Sequence, residues 1–147
     1  MKNYSKEEIE RLISRFENQS LPKIEWTHEA HLVVAIWYSK YYTIEEEAMD
    51  LVREFITEHN TSVGTVNNDN DGYHETITKF WLHLVKTYVS DKMNWSIESL
   101  CNGFINSDQS KPDYLLNFYS KDVLFSVEAR RHWVEPNLAN QTFTHHQ

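Results

Sequence analysis

The sequence predicts a single all-α domain of six or seven helices, and three observations point there. Only 3 glycines and 3 prolines interrupt 147 residues, too few for the turns of a β-sandwich or barrel. Apolar residues recur every three or four positions in one segment after another, and no segment alternates convincingly with the period of two that a strand needs. Serines and threonines stand just ahead of these segments, where a side-chain oxygen can satisfy the free amides of a helix start.

The elements follow in order along the chain. Ser5-Lys6-Glu7-Glu8 has the form of a capping box. Ile9, Leu12, Ile13 and Phe16 carry the first helix to about Asn18, and Leu21-Pro22 ends it. A second helix starts at Thr27, with His28, Glu29, Ala30 and His31 in its first turn. Its body, Leu32 to Trp37, is apolar on nearly every face, the mark of a central buried helix. Thr43-Ile44-Glu45-Glu46 repeats the capping box ahead of a stripe of Ala48, Leu51, Val52, Phe55 and Ile56. The stretch from Asn60 to Gly72 is the one substantial loop and holds Gly64 and Gly72. Asp71 or Gly72 is expected to cap the next helix, which carries Ile77, Phe80, Trp81, Leu84, Val85 and Tyr88.

Shorter elements close the chain. Ser96 opens a helix through Ile97, Leu100 and Cys101, and Pro112 suits a first helical turn. Ser120 and Ser126 precede Val123-Leu124 and a last helix from Val127 to Val134, stopped by Pro136. The whole chain, 1–147, reads as one domain, with about 1–4 and 138–147 frayed. The adjacent His145 and His146 form no ligand set by themselves.

Charge excludes two classes of partner. Asp and Glu number 22 against 14 Lys and Arg, a formal charge of −8. A phosphate backbone or an anionic membrane surface needs clustered basic residues, so neither nucleic acid nor membrane is expected. The longest apolar run is far short of the roughly 20 residues that span a bilayer. The first residues lack the apolar stretch of a signal peptide. With a single cysteine, Cys101, these features point to a cytoplasmic protein. Cys101 is read as a core residue rather than a nucleophile.

Histidines mark the candidate site. His28 and His31 are three apart, which on a helix puts their side chains about 5–6 Å apart at Cβ. His74 lies on the stripe of Ile77 and Trp81. All three fall in first turns, where inward polar groups can line a pocket mouth. Their convergence would form a divalent-metal site for zinc or iron, with Glu75 as ligand or general base. A metal-free polar pocket and plain structural histidines are the alternatives.

Arg130 lies between Val127 and Val134 at helical spacing, so its guanidinium is expected to point inward. It would either dock its helix through Glu75 or clamp an anion. Trp26, Tyr73 and Trp81 are candidate pocket walls. His59, His83 and His132 lack the shared location, and His83, off the apolar stripe, is expected to be partly exposed. Asn67 to Gly72 has a superficial likeness to a calcium loop, but Thr78 stands where the bidentate glutamate belongs, so a polar turn accounts for it better.

Trp26-Thr27-His28-Glu29-Ala30-His31-Leu32, then Gly72-Tyr73-His74-Glu75-Thr76-Ile77-Thr78, then Tyr119-Ser120 and Ser126-Val127-Glu128-Ala129-Arg130 resemble the signature blocks of a family of small uncharacterised bacterial helical proteins. The resemblance spans roughly 26–136. It implies a candidate site at these blocks and no reaction. The family pattern favours an aspartate after the final proline, where this chain has Asn137.

Two functions are therefore expected from different classes. One is a small metalloenzyme, with a metal held by His28, His31 and His74 and with Glu75 and Arg130 as catalytic residues. The other is a helical module that binds a small ligand or a partner without metal, a second copy of the chain being the partner an aromatic surface would suit.

Overall fold

The computed structural model describes residues 3–138. Among them are seven α-helices: α1 (Lys6–Glu17), α2 (His28–Tyr41), α3 (Glu45–Ser62), α4 (Glu75–Val89), α5 (Ile97–Ile105), α6 (Lys121–Leu124) and α7 (Val127–Arg131). Short 3-10 segments at Lys23–Glu25, Asp108–Ser110 and Pro112–Asn117 join them. The described residues contain no strand, and none of their helices is long and apolar enough to cross a membrane.

The helix α2 is the axle of the fold. It buries Ala30, Tyr38, Ser39 and the whole run Leu32–Ile36, because α1, α3, α4 and α5 each pack against it from a different side. That explains its apolar residues on every face. Helix α1 buries one stripe, Ile9, Ile13 and Phe16, whereas α4 buries Phe80, Trp81, Leu82 and His83 in succession, with Val85 and Val89 beyond. Cys101 is fully buried on α5, and burial pushes its thiol up to about 12. It is the core residue the sequence suggested.

Helix starts follow local chemistry, with two exceptions. Ser5 and Glu8 form the expected capping box, and Thr27, Ser96, Ser120 and Ser126 each accept a backbone amide of the first turn. Thr43 does not cap α3, which starts one residue later behind Ile44 without a side-chain cap. Neither Asp71 nor Gly72 caps α4; His74 does. Gly72 has another task. Its φ is +81°, and a Cβ there would lie 2.4 Å from the Val66 carbonyl oxygen, so only glycine lets the loop close on itself.

The C-terminal segment clasps that loop. Helix α7 stops at Arg131, short of the expected Val134, because the backbone turns extended at His132. There the Thr76 hydroxyl donates to the His132 carbonyl at 2.7 Å and accepts from the Val134 amide at 3.1 Å. Arg131 forms a two-pronged pair with Asp69. At the other end Tyr4 is not frayed: its amide and carbonyl both bond the Asn102 side chain, at 2.7 and 2.9 Å. Of the expected loose end 138–147, Leu138 donates its amide to the Phe118 carbonyl at 3.1 Å, and 139–147, with the two histidines, lie outside the described residues.

Candidate functional site

A cavity of about 480 Å³ opens between the N-terminal turns of α2 and α4, the last turns of α3, and the α6–α7 junction. That is within the range of small-molecule sites. Trp26, His31, Tyr73, His74 and Arg130 all line it, together with Lys23, Ile56, Asn60, Ile77, Thr78 and Phe125. Three of the sequence blocks thus meet in one place. Beneath it lies an apolar chamber of about 50 Å³ that shares His31, Ile56, Ile77 and Thr78 and adds Trp81.

His31 is an exposed polar group of this cavity. Its Nδ1–H donates to the Thr27 carbonyl at 2.7 Å, one helical turn back. That bond fixes the tautomer and leaves the lone pair on Nε2, to which no described residue donates. The ring stacks on Trp26 with centroids 3.7 Å apart, and Trp26 stacks in turn on Phe16 at 4.8 Å. Protein surrounds the imidazole and burial pushes its pKa down to about 4, yet the open cavity leaves the residue exposed to solvent. It is a neutral hydrogen-bond acceptor at pH 7.

His74 is used up by the fold. Its Nδ1 accepts from the Ile77 amide at 3.1 Å as the N-cap of α4, and its Nε2–H donates to the Leu124 carbonyl at 2.7 Å. Burial lowers its pKa, and the charge of Arg130 adds to that. Both roles need the neutral ring, and both nitrogens are engaged, so no lone pair remains for a metal. His28 turns elsewhere. Its Nε2–H donates to the Ser110 carbonyl at 2.7 Å, its ring meets Trp81 edge-on at 5.1 Å, and it lines a separate recess with Ser110 and Pro112.

The expected metal triad is therefore not brought together. Among the described residues no group of three or more His, Cys, Asp or Glu is placed to hold a metal ion. The expected ion pair between Arg130 and Glu75 is also replaced. Glu75 takes two bonds from Arg53, at 2.9 and 2.8 Å, and one from the Tyr73 hydroxyl at 2.6 Å. Although burial alone would raise its pKa, those donors hold the carboxyl below its ordinary value. Glu75 faces the neighbouring groove that it shares with Arg53 and Asp69 rather than the His31 cavity. Arg130 does point inward, donating from Nη1 to the Gly72 and Tyr73 carbonyls at 2.9 and 3.2 Å.

One histidine differs from its sequence reading, and a second is buried where the sequence reading said nothing of its burial. His83 is buried rather than partly exposed, and its Nδ1 lies 3.1 Å from Glu45. His59 is fully buried beside the cavity wall, 5.1 Å from Trp26 between ring centroids, with Nε2–H donating to the Leu21 carbonyl at 2.9 Å. The signal was there: His59 continues the stripe of Val52 and Ile56 at helical spacing. The Asn67–Gly72 stretch is a polar turn, with the Asn68 carboxamide oxygen accepting from the amides of Asn70 and Asp71, both at 2.9 Å. No protein-family model matches the chain, and no curated protein or solved structure matches it either.

Proposed function

We propose that the protein binds a small organic molecule in the cavity walled by Trp26, His31, Tyr73 and Arg130. His31 carries this reading. Buried His74 spends both ring nitrogens on protein partners. His31 instead keeps one nitrogen as a fixed, neutral acceptor directed by the Thr27 bond and exposed in the cavity. The three-ring stack of Phe16, Trp26 and His31 holds it still, so a ligand donor meets a preorganised partner. The apolar chamber below offers room for about one small alkyl group, which would set the depth to which a ligand inserts. The reading needs no metal.

Protein-observed NMR with a fragment library tests it, with the His31 imidazole resonances as the local reporter. Fragments that bind here should shift those resonances and raise the melting temperature. The gain is about 2.7 kcal/mol when free ligand stands at 100 times Kd. His31→Leu should abolish both effects for the same fragments. A library from which no fragment moves the His31 ring would end the reading.

A further inference from the structure

The charges around the cavity narrow the chemistry of its ligand. The chain has 22 acidic against 14 basic side chains, yet among the described residues lining the cavity there is no Asp or Glu, while Lys23 and Arg130 both line it. No carboxylate among the described residues forms an ion pair with either. Arg130 is half-buried, and its two bonds to the Gly72 and Tyr73 carbonyls come from Nη1 alone. They fix the guanidinium in place and bring no opposite charge. Arg130 also borders the groove of Glu75 and Asp69, yet neither carboxylate bonds it; a half-buried cation with no directly paired carboxylate is unfavourable, and an anion in the adjoining cavity relieves that. Trp26, Ile56, Ile77 and Phe125 are apolar, so that part of the lining suits a hydrocarbon or aromatic body.

We propose that the ligand is a small organic oxyanion, a carboxylate or a phosphate monoester, whose charged end pairs with Arg130 and Lys23 while its apolar body lies against Trp26 and Phe125. This rests on the cavity reading given above. The planar guanidinium, whose Nε and Nη2 bond no described residue, suits the two oxygens of either group. Lys23, on the short 3-10 segment beside Trp26, is exposed and adds a second charge.

Isothermal titration calorimetry at pH 7.5 and low salt with three matched probes tests the proposal: 3-phenylpropanoate, 3-phenylpropanamide and 2-phenylethyl phosphate. The carboxylate, the phosphate or both should bind at least about tenfold more tightly than the amide, because hydrogen bonds to a charged group contribute about 1.5–3 kcal/mol and 1.4 kcal/mol is tenfold. Whichever oxyanion binds better identifies the source. Arg130→Gln should remove that preference. Because Arg130 also holds two carbonyls, Lys23→Gln, on an exposed side chain, asks the same question without disturbing the fold and should reduce the preference by about two- to fivefold. Equal binding of amide and oxyanions, or a preference unchanged in both variants, overturns the oxyanion inference and leaves the cavity reading standing. Neutral fragments that move the His31 ring while neither oxyanion binds have the same consequence. Silence from all three probes and from the fragment library overturns both.

Discussion

Replacing His74 separates a helix cap from a metal ligand. In wild type the ring serves two bonds, accepting from the Ile77 amide and donating to the Leu124 carbonyl, in a residue only 7 % exposed. His74→Ala removes the cap, about 1 kcal/mol, and leaves the Leu124 carbonyl without its donor, about 2 kcal/mol more. The sum of about 3 kcal/mol corresponds to a fall in melting temperature of roughly 6–12 °C for a domain of this size. His74→Asn should do better. Asparagine is among the preferred caps and restores the bond to Ile77, but it is too short to reach Leu124, so it should lie about 1 kcal/mol above the alanine variant. Urea unfolding followed by far-ultraviolet circular dichroism measures all three proteins. Were His74 a metal ligand, alanine and asparagine would be equally damaging and a chelator would bring wild type down to them. Equal loss in the two variants, or an alanine variant within about 0.5 kcal/mol of wild type, refutes the cap.

Other outcomes follow from the same contacts. The His31 ring, followed by NMR, should titrate near 4, its pKa lowered chiefly by burial; a midpoint near the ordinary 6.5 would contradict the environment described. Because His31 and His74 both bind protons less readily folded than unfolded, their contribution to stability is complete above about pH 6.5 and is lost as the pH falls below it; a urea midpoint flat from pH 7 to 5 would show the sign to be wrong. Thr76→Val keeps the volume but strips the His132 carbonyl and Val134 amide of their shared partner, and should cost about 2–4 kcal/mol by chemical denaturation. Gly72→Ala combines a positive φ with a Cβ placed 2.4 Å from the Val66 oxygen; a loss above about 2 kcal/mol and weaker fragment binding are expected together.

The parts of this molecule written locally were the parts that could be read from residues alone. The Ser5 box, the Thr27, Ser96, Ser120 and Ser126 caps and the all-round apolar character of α2 each depend on neighbours within a few positions. The start of α4 was misplaced because its cap is an imidazole, which accepts an amide only when neutral and suitably turned. The end of α7 was misplaced because Val134 keeps helical spacing from Val127 while Thr76, 58 residues away, holds the backbone extended. Of the residues singled out in the sequence, Trp26, His31, Tyr73, His74 and Arg130 line one cavity, and His28, Glu75 and Trp81 do not line it. Helical phase could not tell which nitrogen of each imidazole was already taken. Nor could it pick Arg53 over Arg130 as the partner of Glu75, since both arginines lie beside apolar stripes and only tertiary packing decides between them.

The burial of Cys101 makes this an unusually convenient protein to tag. The chain has one thiol, fully enclosed and with its pKa pushed up to about 12, so the thiolate that attacks maleimides is both scarce and out of reach. A cysteine introduced at Phe125, 61 % exposed at the rim of the cavity, would react alone. A dye attached there reports ligand entry without removal of the native cysteine. Under harsher conditions the same hidden thiol changes role: its delayed labelling times the opening of the core around α5.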